Sequence, residues 1–149
     1  MRIAECGFQK PAINPQSSAI RNPHSAMAKV LLVDDTPEIA ELLTFALRDQ
    51  GYQVTPSGFT PDVIELLTEQ KADALVLDCT SYEMSEALFD AVRGHGGFGA
   101  LPVVIISDTP EKADASLQGR EAEHVLLIPK PFTGSQVARA LAQLLAPAP

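Results

Sequence analysis

The sequence predicts an α/β domain built on a doubly wound, five-stranded parallel sheet, and three observations carry that expectation. Five short apolar runs alternate with five amphipathic stretches, the links between them are short, and three of the strand-to-helix junctions contain Thr-Pro. Alternation of this kind favours parallel strands whose helical crossovers cover both faces of the sheet.

The first apolar run, residues 29–33, is continuous, as suits a strand covered on both sides. Thr36 and Pro37 follow it, a residue type that caps helices and one that fits the first helical position. Ile39, Leu42, Leu43, Ala46 and Leu47 then share one face of a helix over 37–50, and Gly51 supplies its stop. A second strand falls at 52–56, and Thr60-Pro61 opens a helix over 61–70. The third pair is a strand at 73–78 and a helix at 84–94. A strand at 102–107 leads through Thr109-Pro110 into a helix at 110–118, and a strand at 124–128 into a helix at 134–146. Pro129 cannot donate to a ladder, which suits a fifth strand at the sheet edge. The stripe Val137, Leu141, Leu144 and Leu145 is core packing first and a partner surface second.

At 149 residues and 46% hydrophobic content, one domain with a real core is expected. Residues 1–26 show neither helical nor strand period and are rich in Pro, Asn and Ser. Two readings stay open for them: a disordered leader, or a stretch upstream of a true start at Met27, with the domain occupying 27–149. No run reaches the roughly 18 to 20 apolar residues of a membrane-spanning helix, and the first 26 residues lack the apolar core of a signal peptide. A soluble, cytoplasmic protein without a membrane partner is the expectation. The net charge is −8, and because Arg2, Lys10 and Arg21 outweigh Glu5 in the first 26 residues, the remainder carries −10. So acidic a body argues against direct nucleic-acid binding. Two cysteines, Cys6 in the leader and Cys79 inside an apolar run, do not make a disulfide framework.

Four polar features each end an apolar strand: Asp34-Asp35, Asp78, Ser107 and Lys130. In a sheet of order 2-1-3-4-5 the first and third strands flank the switch point, where such sheets carry their sites. Asp34, Asp35 and Asp78 therefore crowd together, and their repulsion calls for a cation. Oxygen-only ligands suit Mg²⁺. One carboxylate could then attack phosphorus while Lys130 neutralises the equatorial oxygens and Ser107 hydrogen-bonds them. Singly, each residue reads as a turn former, cap or solvated side chain; their conjunction at four strand ends points to function.

These motifs, VLLVDD at 30–35, LVLD at 75–78, VVIIS at 103–107 and KPF at 130–132, resemble those of response-regulator receiver domains of two-component signalling, a flavodoxin-like (βα)5 family, over residues 29–145. The resemblance implies that Asp78 is the phosphoacceptor, that Asp35 binds Mg²⁺ directly, and that Asp34 assists through the acidic pocket. It gives Thr80 a metal-binding backbone carbonyl, Ser107 the switch hydroxyl, and Lys130 the phosphate contact, with Lys130-Pro131 in cis. Implied partners are a sensor histidine kinase or phosphotransfer protein upstream and a protein target downstream, met by the face of the fourth helix, fifth strand and fifth helix; homodimerisation is left open. The chain departs from the family pattern at CTSYEMSE after the acceptor, at Asp108 beside the switch serine, and at Leu127, where an aromatic is usual.

Gly94-His95-Gly96-Gly97-Phe98-Gly99 satisfies GxGxxG but follows a helix and precedes a strand, so it reads as a connector. His24, His95 and His124 lack metal-type spacing. The leading expectation is a single-domain response regulator that catalyses only its own phosphorylation and dephosphorylation. The alternatives are a pseudo-receiver binding module that signals without phosphorylation, suggested by Asp108, Leu127 and the altered loop, and, ranked last, a phosphohydrolase.

Overall fold

The computed structural model describes residues 28–60 and 62–146. The expectations for the leader 1–26, Met27, Cys6, His24 and Pro61 lie outside the described residues. Five strands and five helices alternate: β1 (Lys29–Asp34), α1 (Pro37–Asp49), β2 (Gln53–Ser57), α2 (Val63–Gln70), β3 (Ala74–Asp78), α3 (Tyr82–Gly94), β4 (Val103–Ser107), α4 (Pro110–Gly119), β5 (Val125–Pro129) and α5 (Gly134–Leu145). All four strand pairings are parallel, in the order β2-β1-β3-β4-β5. This is the order expected from the sequence, with β5 and its Pro129 at one edge.

Successive side chains of a strand face opposite sides of the sheet, and the central strands, apolar on both sides, build two cores. Val30, Leu32, Val76, Val104 and Ile106 pack with Leu43 and Leu47 of α1 and Val137 and Leu141 of α5. Leu31, Val33, Leu75, Leu77 and Ile105 pack on the other face with Val63 and Leu67 of α2 and Leu88, Phe89 and Val92 of α3. Leu127, at the position of interest on β5, is a half-buried member of this second core. The period of two thereby fixes register, because a one-residue slip would exchange the two sets.

Helix boundaries differ from expectation where capping chemistry differs. Thr36 and Thr109 occupy N-cap positions as expected, but neither hydroxyl bonds its helix. Thr133 does cap: its hydroxyl accepts from Gln136 N and Gln136 Oε1 accepts from Thr133 N, a reciprocal box. α3 starts at Tyr82 rather than 84 because Ser81 already serves as its N-cap residue. α2 begins at Val63, after Asp62. Gly51 has φ 97°, a conformation that favours glycine, and ends α1 as expected. The GxGxxG segment is a connector: Arg93 donates to Phe98 O across it, and also to the carbonyls of Glu123 and His124.

Candidate functional site

The strands deliver their polar ends to one rim. Asp34 and Asp78 are direct partners in the β1–β3 register, and both are buried. Asp34 Oδ1 accepts from Thr36 N at 2.8 Å, which turns the chain off the strand. Asp34 Oδ2 and Asp78 Oδ2 find no hydrogen-bond donor among the described residues. Asp78 Oδ1 meets the Lys130 ammonium at 2.9 Å as an ion pair, off the angle of a hydrogen bond. Lys130 follows β5 and is held there by its backbone, whose N–H donates to Ser107 O at 2.8 Å. The Lys130-Pro131 peptide is cis, as the resemblance implied.

The charges answer to this crowding. Burial above all, with help from Asp78 and Asp35 and against the Thr36 N–H, pushes the Asp34 carboxyl up to about 7. Burial alone would lower Lys130, but Asp78, followed by Asp108 and Asp34, outweighs it and holds the ammonium above the ordinary lysine value. Burial would raise Asp35, yet the hydroxyl and N–H of Thr80 outweigh it and hold that carboxyl below its usual range. Cys79, a buried free thiol, is pushed up to about 11 chiefly by burial, so it behaves as a small hydrophobe, as expected.

Not every expected residue joins the cluster in the expected way. Asp34, Asp78 and Lys130 come together. Asp35 stays within electrostatic reach, but its carboxylate is turned to Thr80: Thr80 N donates to Oδ1 and Oδ2 at 3.1 Å each, and Thr80 Oγ1 to Oδ2 at 2.6 Å. Among the described residues no three His, Cys, Asp or Glu side chains are arranged to hold a metal ion. The expected crowding of three carboxylates is thus a pair plus a neighbour, because the Thr80 donors compete for the third. Ser107 is buried at the end of β4, and its hydroxyl accepts from Thr109 N at 3.0 Å.

Two features next to the site were not read from the sequence. Asp34 and Asp35 help to line a groove of about 950 Å³ between α1 and the loop after β2, together with Phe45 and Phe59. On the other side, α4 is tied to α3 by a polar network: Glu86 accepts from Tyr82 and Ser116, and Arg120 grips Glu86, Ser116 and both oxygens of Asp90. Glu86 and Arg120 are distant in sequence, and only the packing of α3 against α4 makes them neighbours.

A doubly wound parallel sheet of this order, with two buried acids and a lysine at its carboxyl rim, defines a CheY-type α/β domain. The chain belongs to the response regulator receiver domain family, whose model matches residues 30–142. It is similar to the probable transcriptional regulatory protein TcrX of Mycobacterium tuberculosis, 32% identical over 120 residues, which are 78% of this chain and 49% of that protein. Among solved structures it is similar to the chemotaxis response regulator CheY4 of Vibrio cholerae, with 24% identity and a TM-score of 0.68 over 80% of this chain and 99% of that one. It is also similar to the receiver domain of sensor histidine kinase PA1611 from Pseudomonas aeruginosa, which has a magnesium ion coordinated in its active site cleft; identity is 21% and the TM-score 0.64 over 80% of this chain and 98% of that one. The chain spans about half the length of the curated relatives it matches. No described helix is long and apolar enough to cross a membrane.

Proposed function

We propose that this receiver domain accepts a phosphoryl group on Asp78 in a Mg²⁺-dependent reaction and passes the change to a protein partner. The observation that carries the reading is the register pair Asp34 and Asp78, buried with unpaired oxygens beside the Lys130 ammonium. Two such carboxylates repel, and a site that accepts that cost suits a cation.

The donor set is all oxygen and so fits Mg²⁺; Asp34 and Asp78 would hold it, joined by Asp35 and by the Thr80 backbone carbonyl. When bound, the metal would supply charge neutralisation for the transferring phosphoryl group. Asp78 acts as nucleophile: one of its oxygens forms a bond to phosphorus as the bond from phosphorus to the donor breaks, and the electron pair leaves with the donor. Lys130, already at Asp78, stabilises charge on the phosphoryl oxygens. The Ser107 hydroxyl accepts from Thr109 N, the N-cap residue of α4, and keeps its own O–H to donate to those oxygens, so a pull on this hydroxyl at β4 would reach α4 directly. Phe45, 77% exposed, and Phe59, 44% exposed, offer apolar purchase in the groove that Asp34 and Asp35 line for a sensor kinase or phosphotransfer protein.

Acetyl phosphate with Mg²⁺, followed by intact mass, tests this. One added phosphoryl mass in the wild type, absent in Asp78→Asn and absent with EDTA, is the expected result. No adduct with acetyl phosphate or with any kinase tested would favour a domain that signals without phosphorylation.

A further inference from the structure

We propose that Thr80 is a positioning residue that clamps Asp35 and thereby sets how readily the acidic site takes its divalent cation. The inference rests on the reading of the site given above and concerns the side-chain hydroxyl of Thr80, not its backbone carbonyl.

A carboxylate has about four lone-pair directions, two on each oxygen. Asp35 Oδ2 receives both the N–H and the hydroxyl of Thr80, at 3.1 and 2.6 Å, and Oδ1 receives the N–H at 3.1 Å. The shared N–H is a property of the backbone and would be present with any residue at position 80. The hydroxyl is not: it fills the remaining direction on Oδ2, and at 2.6 Å it has the length of a hydrogen bond to an ionised acceptor. Asp34 and Asp78 stand ready with unpaired oxygens, while Asp35 is engaged, and among the described residues the three are not gathered as a metal site. Asp35 can offer Oδ2 to a cation only by releasing the hydroxyl, whereas Oδ1, which accepts the N–H alone, keeps one direction open. A hydrogen bond to a charged group is strong enough for its loss to matter, and the partial exposure of this pair reduces the effect to about three- to tenfold in affinity.

The test is a titration of the metal-free protein with Mg²⁺ alone, followed by amide shifts in ¹⁵N NMR, with Thr80→Val, Thr80→Ser and Asp78→Asn beside the wild type. Val keeps the shape of Thr and removes the hydroxyl; Ser keeps the hydroxyl. The expected result is saturable binding in the wild type that weakens in Asp78→Asn. Thr80→Val should bind about three- to tenfold more tightly, and Thr80→Ser as the wild type does. Binding by Thr80→Val equal to or weaker than that of the wild type overturns the clamp and leaves the site reading intact. Absence of saturable binding in all four proteins overturns both.

Discussion

Replacing Asp34 by Asn should stabilise the folded protein at pH 8 in the absence of divalent cations. Asp34 is 3% exposed and its carboxyl is raised from 3.8 to about 7, first by burial and then by Asp78 and Asp35. Well below pH 3.8 the carboxyl is protonated in both folded and unfolded chains and costs nothing. As pH rises from about 4 to about 7 the unfolded chain gives up this proton while the folded one keeps it, so stability falls; above 7 the full penalty is present. A shift of about three units corresponds to a ceiling of about 4 kcal/mol, and the nearby Lys130 ammonium and local relaxation bring the expected gain to about 2 kcal/mol. Asn retains an acceptor for Thr36 N and lacks only the charge. Urea unfolding of wild type and Asp34→Asn in EDTA, at pH 8 and pH 5, measures it. The variant should be the more stable at pH 8, and the difference should shrink to less than half of that at pH 5. A variant less stable than the wild type at pH 8, or a gap that is the same at both pH values, would refute the reasoning.

Gly134→Ala should destabilise, because a Cβ at Gly134 would lie 2.5 Å from Ala46 Cβ where α5 meets α1; an overpacking cost of about 1–3 kcal/mol exceeds the gain of about 0.4–1 kcal/mol from a stiffer unfolded chain. Urea midpoints of Gly134→Ala and of the double variant with Ala46→Gly should show the two changes to be non-additive. Arg93→Ala removes the donor shared by the carbonyls of Phe98, Glu123 and His124 and should cost about 1–2 kcal/mol in the same assay. Arg93→Lys, lacking the planar fork, should recover less than half of it. Arg120→Gln should speed amide exchange in α4 selectively while leaving the unfolding midpoint within about 0.5 kcal/mol of the wild type, since the ion pairs it breaks are exposed.

The sequence carried the fold because its decisive signals are local. The continuous run before Asp34 and the runs before Asp78 and Ser107 are too apolar for a half-exposed strand, and this placed five parallel strands within about a residue of their positions. The gathering of Asp34, Asp78 and Lys130 followed from the same logic, since strand ends in such a sheet share a rim. Side-chain detail was less legible. Thr36 and Thr109 have the sequence of helix caps, but their hydroxyls do not bond their helices, whereas Thr133 and Gln136, four positions that spell a capping box, do. Asp35 and Thr80 are 45 residues apart, so their bond exists only after β1 and β3 are in register. The Glu86–Arg120–Asp90 network likewise joins two helices whose spacing no local pattern encodes.

The way α4 is fastened has a mechanical consequence. Its one fully buried side chain is Ala113, whereas α5 sinks Val137, Ala138, Ala140 and Leu141. α4 is moored by ropes of charge and hydroxyl rather than set in grease, with a void of about 20 Å³ beneath it among Cys79, Phe89, Ile105 and Leu117. Sliding such a helix trades ion contacts for water at little exposure of oil, so the tug on the Ser107 hydroxyl that the proposed switch requires would face a light load.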